Sequence, residues 1–241
     1  MSARDLEGIF DDDYYYFHEP FLAERTAHDV ETIAALLELE PGAQVLDCPC
    51  GHGRIANALA QRGFRVAGLD TSALFLEHAR ADAREKGVDV EYVLGDMRNL
   101  PWRERFDAVV NWFGSFGYFS DEQNKAVLKQ FCDAVRPGGR LVLEAQNVAQ
   151  ILSHPQPHSI ERDGDLMVDE WTLDPAHARF LTERTVVRDG RTRKMHFAFR
   201  WFALPELRAW LEEAGFENVR APGLTPESRL VVVADRAAGN S

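Results

Sequence analysis

Val45-Leu46-Asp47-Cys48-Pro49-Cys50-Gly51-His52-Gly53-Arg54 decides the reading of this chain. A short apolar run ends in an acid, turns through a glycine-containing loop and passes at once into a helical pattern. That is the arrangement of a nucleotide-type site at the carboxyl end of a first strand. The same alternation continues downstream. Helix 54–61 stops at Gly63, strand 65–69 leads into helix 73–85 with a stop at Gly87, and strands 90–94 and 106–111 follow. A helix over about 122–135 ends at Pro137-Gly138-Gly139, and a fifth strand covers 140–145. Apolar strands alternating with helices predict a mostly parallel, Rossmann-like α/β sheet covered on both faces.

Upstream, an acidic lead and Tyr14-Tyr15-Tyr16-Phe17-His18 precede a helix placed from Thr26, with Asp29 three residues on and Val30, Ile33, Ala34 and Leu37 on one face. Downstream the texture changes near Gln146. Residues 146–160 read as a loop, and about 160–202 as an antiparallel β insertion. Asp189-Gly190 is a two-residue hairpin signal, and Met195, Phe197, Phe199 and Trp201 alternate with polar or small residues. Helix 205–214, stopped by Gly215, and strands near 218–221 and 229–234 finish a seven-stranded sheet. The expected division is an N-terminal arm and helix over 1–40 as a lid, a cofactor-binding core over 41–145, the β insertion over 146–203 as substrate lid or dimer contact, and the sheet's completion over 204–241.

Composition narrows the function. The chain has 241 residues and a formal net charge of -12, which argues against nucleic acid and against anionic membranes, since both ask for a basic footprint. No apolar run approaches the roughly 20 residues of a membrane helix. The polar start, Met1–Asp13, does not resemble a signal peptide. Three cysteines fit a reducing compartment, so a cytoplasmic protein is expected. Cys48-Pro49-Cys50 is too closely spaced for zinc, no histidine pair has ligand spacing, and no metal is expected. A small-molecule partner remains, with a homodimer through the β insertion as a further option.

Two cofactors compete for the glycine loop. Gly51-His52-Gly53-Arg54-Ile55-Ala56 matches the dinucleotide fingerprint G-x-G-x-x-A. In a dinucleotide site, however, the first glycine directly follows the strand and the pyrophosphate sits on the helix N-terminus. Here Asp47 ends the strand, and its carboxylate repels a diphosphate but favours the ammonium of a methionine moiety. At this point the chain resembles the class I S-adenosylmethionine-dependent methyltransferases. Asp47-Cys48-Pro49-Cys50-Gly51-His52-Gly53 resembles the family's first motif, Gly68-Leu69-Asp70 the strand whose acid binds the ribose diol, and Gly95-Asp96-Met97 the adenine-holding element. Phe106-Asp107-Ala108-Val109-Val110 resembles the fourth strand and Pro137-Gly138-Gly139 the turn into the fifth.

The resemblance implies S-adenosylmethionine as cofactor, held by Asp47, Cys48, Gly51, Gly53, Asp70, Thr71, Asp96, Met97 and Asn111. Asp70 also reads as a helix N-cap. Tyr15 and Tyr16 would face the sulfonium or simply pin the arm to the core, and Arg25 would reach the methionine carboxylate. Trp112, Phe113, Ser115 and Tyr118, after the fourth strand, would meet the acceptor. His18, His154 and His158 are the candidate general bases, none with a partner legible in the sequence. Arg184, Arg188, Arg191, Arg193, Lys194 and Arg200 form a basic island, either a solvated strand face or an attraction for an acidic acceptor. The function implied is methyl transfer to an O or N atom of a small molecule by in-line displacement. Alternatives are a peptide or protein N-methyltransferase, an NAD-dependent oxidoreductase, which would want a Tyr-x-x-x-Lys pair, and a non-catalytic cofactor-binding protein.

Overall fold

A computed structural model describes residues 8–153 and 157–238. The N-terminal helix α1 spans Asp12–Leu37, far longer than the sequence reading. Asp11 caps it, accepting the Tyr14 N–H at 3.1 Å, and the helix runs through Pro20. A proline inside a helix leaves the carbonyl four residues back without its donor. Here that carbonyl belongs to Tyr16, and the Arg162 guanidinium supplies the hydrogen bond. Thr26 therefore lies mid-helix, its hydroxyl donating to Leu22 O at 2.6 Å rather than capping anything.

The core follows with β1 (Gln44–Asp47), α2 (Arg54–Gln61), β2 (Arg65–Asp70), α3 (Ala73–Lys86), β3 (Val90–Leu94), β4 (Phe106–Asn111), α4 (Asp121–Ala134) and β5 (Val135–Ala145). β5 starts earlier than expected because Val135 already pairs with Phe106, across an irregular register around Pro137–Gly139. After a short helix α5 (Val148–Ser153), strands β6 (His158–Arg162), β7 (Asp165–Asp174), β8 (Arg179–Arg188) and β9 (Arg191–Arg200) form a separate antiparallel sheet. The stretch expected as a loop thus holds one helix and the first insertion strand. Asp189 and Gly190 both take positive φ between β8 and β9, as a two-residue hairpin of this type requires. Helix α6 (Leu204–Ala214), β10 (Phe216–Arg220) and β11 (Leu230–Arg236) return to the main sheet.

The main sheet is ordered β10-β11-β5-β4-β1-β2-β3, parallel except for β11, which runs antiparallel to both neighbours. Side chains alternate between two cores, as a two-residue period demands. Leu46, Val109, Leu141 and Leu143 pack with α4 and α6, whereas Val45, Val110 and Val142 pack with α1 and α2. Both faces being covered, the ligand position left by this topology is the crevice at the carboxyl ends of β1, β2, β4 and β5. No helix among the described residues is long and apolar enough to cross a membrane.

Candidate active site

A cavity of about 470 Å³ opens along those strand ends and is roofed by α1 and the insertion sheet. Asp47, Gly51, Asp70, Thr71, Asp96 and Met97 line one half. Gly51 has φ +52 and open space where a Cβ would stand, so its backbone is free to meet a ligand. Asp70 closes β2 and is 7% exposed. Its oxygens accept the Gly51 N–H at 2.7 Å and the Ser72 N–H at 2.9 Å, which fixes the carboxylate against the glycine loop. Ser72, not Asp70, caps α3. Burial pushes the Asp70 carboxyl up. Asp96 is gripped by Arg98 through Nη2 at 2.6 Å, and despite burial that guanidinium holds its carboxyl below the ordinary range.

Two buried atoms in this half stand out. Asp47 Oδ2 and Arg54 Nη2 have no hydrogen-bond partner within the protein. Both residues line the cavity and are almost fully buried. Burial pushes the Asp47 carboxyl up to about 7, against the pull of Arg54. Arg54 begins α2, and its Nη1 donates to Asp29 at 2.7 Å. Arg25 binds the same Asp29 through Nε at 2.9 Å and Nη2 at 2.8 Å. A buried acceptor and a buried donor, both unsatisfied and carried by residues that line one cavity, cost stability until a ligand pairs them. The ammonium and carboxylate of a methionine moiety have that complementarity, so the residues present fit S-adenosylmethionine.

Several expected residues lie elsewhere. Arg25 is committed to Asp29 and does not line the cavity; Arg54, the cation directly after the glycine loop, does. Tyr15 and Tyr16 also miss it. Tyr15 stacks on His78 with ring centroids 4.3 Å apart, and Tyr16 donates to Arg162 O at 3.2 Å, because on a helix beginning at Asp12 they point away from the strand ends. Tyr14 and His18, four residues apart on the same face, line it instead, stacked at 4.0 Å. Cys48 is fully buried outside the lining, and Asn111 lies beneath it, donating to Cys48 O at 2.8 Å. Gly53 has another duty. A Cβ there would overlap Tyr92 Oη and stand 2.7 Å from Ala79 Cβ, so this glycine lets α2 pack on α3 and β3.

The other half is aromatic. Trp112, Phe113, Ser115 and Tyr118 line it from the loop after β4, and Trp171, Phe197 and Phe199 from the insertion. His18 Nδ1 lies 3.0 Å from Tyr14 O. A carbonyl only accepts, so Nδ1 carries the proton and Nε2 keeps its lone pair. Burial lowers the His18 pKa to about 4. His158 lines the cavity as an exposed residue at the start of β6, and His154 lies outside the described residues. Of the basic island, Arg188 and Arg193 pair with Asp12 and Asp11 of the acidic lead, Lys194 with Glu183, and Arg200 with Asp121 and Glu206. Arg184 is not on a solvated face: it is buried, bound to Asp169, and lines the cavity. Among the described residues no acidic, histidine or cysteine cluster has the makings of a metal site.

The seven-stranded order with an antiparallel β11, the acid-and-glycine loop after β1 and the acid at the end of β2 mark a class I S-adenosylmethionine-dependent methyltransferase. A family model described as a methyltransferase domain matches residues 45–139. A cypemycin N-terminal methyltransferase from Streptomyces sp is 29% identical over 188 residues, 76% of each chain. Streptomyces venezuelae DesVI superposes with a TM-score of 0.74 at 24% identity, over 94% of this chain and 100% of that one. An S-adenosylmethionine-dependent methyltransferase from Clostridium acetobutylicum ATCC 824 superposes with a TM-score of 0.71 at 16% identity, over 89% of this chain and 91% of that one.

Proposed function

We propose that this methyltransferase alkylates a nitrogen of a small organic acceptor held between the ends of β4 and β5 and the insertion sheet. In this reading Asp47 and Arg54 take the amino and carboxylate groups of the methionine moiety, Asp70 the ribose diol, and Asp96 with Met97 the adenine edge and face. The cofactor supplies an activated methyl on a sulfonium. The protein's part is alignment of acceptor, methyl and sulfur, which is worth up to about 7–11 kcal/mol of barrier in well-oriented systems. Tyr14 and His18, at the junction of the two halves, hold the acceptor in that line.

The choice of nitrogen over oxygen rests on His18. With Nδ1–H given to Tyr14 O, Nε2 accepts a hydrogen bond from an acceptor N–H. A histidine held to about 4 is a poor base for stripping a hydroxyl at neutral pH. A nitrogen that is neutral at the working pH needs no such base: its lone pair attacks, the S–CH3 electron pair stays on sulfur, and the extra proton leaves the product for solvent. The Streptomyces relative named as an N-terminal methyltransferase keeps a peptide amine within the same chemistry.

The test is product analysis by mass spectrometry with S-adenosylmethionine and matched pairs of amines and hydroxyl compounds, plus a tripeptide with a free N-terminus. N-methyl products from small amines that are neutral at the assay pH are expected, with no histidine limb near pH 6.5 in the rate profile. Exclusive O-methylation, or methylation of the tripeptide alone, defeats the proposal.

A further inference from the structure

The inner face of the insertion sheet carries a second set of groups that the methyl-transfer chemistry does not use. The two-residue period of β8 turns Phe180, Thr182, Arg184 and Val186 to one side, all buried, and leaves Leu181 and Glu183 on the other. Across the ladder, Arg184 faces Asp169 and Met195, and Thr182 faces Trp171 and Phe197. This face meets Tyr118 of the main domain, whose ring lies 6.5 Å from Phe197 and 6.1 Å from Phe199. Phe10 closes on Tyr118 from the N-terminal side at 5.4 Å. Flat walls on several sides suit a planar guest.

The charges of this half are already closed into pairs. Arg184 binds Asp169 through Nε and Nη2, both at 2.7 Å, and its guanidinium lies 5.5 Å from the Tyr14 ring and 5.2 Å from that of Phe197. Glu144 receives Arg229 at 2.9 Å on each oxygen; burial pushes its carboxyl up to about 8, and the guanidinium on both oxygens favours the ionised form. His18 is neutral, since burial holds its pKa to about 4. A cationic or anionic guest in this half would therefore lose its hydration and meet, among the described residues, no carboxylate or guanidinium without a charged partner, an arrangement that disfavours burial of charge. A neutral guest meets something better. Asp169 and Arg184 present an acceptor and a donor side by side, with lone pairs and N–H groups beyond those the pair consumes. One strand step of two residues away, at roughly 7 Å, the Thr182 hydroxyl is buried, 3% exposed, and has no hydrogen-bond partner. A buried hydroxyl without a partner is what a bound polar group repairs.

We infer that the methyl acceptor is a neutral, planar nitrogen heterocycle whose edge carries a hydrogen-bond donor beside an acceptor, seated on Thr182, Arg184 and Asp169 between the aromatic walls. The inference rests on the methyl-transfer reading above and adds the acceptor's chemical class. The ring or exocyclic nitrogen lone pair forms the N–CH3 bond as the S–CH3 bond breaks toward sulfur, and the proton of the resulting cation passes to water.

The test uses protein saturated with S-adenosylhomocysteine and four probes: quinazolin-4-one and adenine as neutral planar compounds, glucosamine and glycine as charged ones. Calorimetric titration is expected to detect the neutral pair and not the charged pair. Thr182→Val exchanges the hydroxyl for a methyl of the same shape. It is expected to weaken the neutral probes at least about fivefold, with the melting temperature unchanged or raised and S-adenosylhomocysteine affinity unchanged. A purely structural role for Thr182 would not move probe affinity alone. Binding or methylation of glucosamine or glycine in preference to the neutral pair, no binding by either neutral probe, or full neutral-probe affinity in Thr182→Val would each overturn the inference. Preferred methylation of a charged amine would do so while leaving the nitrogen methyltransferase standing, whereas failure of S-adenosylhomocysteine itself to bind would defeat the reading beneath it.

Discussion

The cofactor half of the cavity is made by the ends of three neighbouring strands, β1, β2 and β3, within about fifty residues of chain, whereas the acceptor half gathers α1, the loop after β4, the end of β5 and the insertion. The first half works through backbone and fixed carboxylates: a loop N–H tied to Asp70, a glycine open to the ligand, and the unsatisfied Asp47 and Arg54. The second works through aromatic faces and charges that cancel. One half is thus built on strand ends, and the other on an element attached at the sheet's rim. The difference gives each half its own signature under mutation.

Asp70→Ala should show the largest effect. The carboxylate organises the glycine loop and, on the proposed role, accepts the ribose diol. Losing charge-assisted bonds worth about 1.5–3 kcal/mol each should weaken S-adenosylhomocysteine ten- to about a hundredfold. Calorimetric titration reads this directly, and unchanged affinity would remove Asp70 from the site. Next come the two glycines of the loop. Gly53→Ala puts a Cβ into Tyr92 and Ala79 at φ +81 and should cost about 2 kcal/mol or more, a fall of roughly 4–8 °C in melting temperature. Gly51→Ala meets no atom within 4 Å, so its melting temperature should fall less while cofactor affinity drops more. The reverse ranking would break the assignment of one glycine to packing and the other to the ligand.

Asp47→Asn should split stability from binding. The folded-state pKa of Asp47, about 7, lies above its unfolded value, so the ionised carboxylate penalises the free fold increasingly as pH rises from the unfolded value toward 7. The neutral amide removes that penalty and should raise the melting temperature at pH 7, while weakening S-adenosylhomocysteine about tenfold. A variant that loses both would argue against an ammonium partner. The smallest effect is the matching pH dependence. A bound ammonium favours ionised Asp47, so binding releases a proton and strengthens severalfold from pH 6 to 8 in the wild type. Titrations in buffers of different ionisation enthalpy should report that proton, and Asp47→Asn should abolish it.

The same contrast governs how far the sequence could be read. The strands β1, β3 and β4 and helix α2 are legible to the residue, because apolar runs there are bounded by glycine and proline and the acid-glycine spacing is local. The start of α1 is not, since Pro20 looks like a stop until Arg162, far along the chain, is seen to satisfy the Tyr16 carbonyl. With the start misplaced, the helical phase that brings Tyr14 and His18 inward and turns Tyr15 and Tyr16 outward is lost. Arg54 carries a signal in plain view, a cation at the first position after the glycine loop, but its burial depends on Asp29 of α1. Arg184 sits in Arg179-Phe180-Leu181-Thr182-Glu183-Arg184-Thr185, where polar residues occupy both faces, so alternation alone does not say which one is buried. Its partner Asp169 lies one strand away.

The division of the cavity is tested most directly by titrating S-adenosylhomocysteine into the wild type, Arg54→Met and Thr182→Val under one set of conditions. The account predicts at least about a tenfold loss in Arg54→Met, whose guanidinium would no longer meet the methionine carboxylate, and wild-type affinity in Thr182→Val. Undiminished binding by Arg54→Met, or an equal loss in both variants, would contradict it.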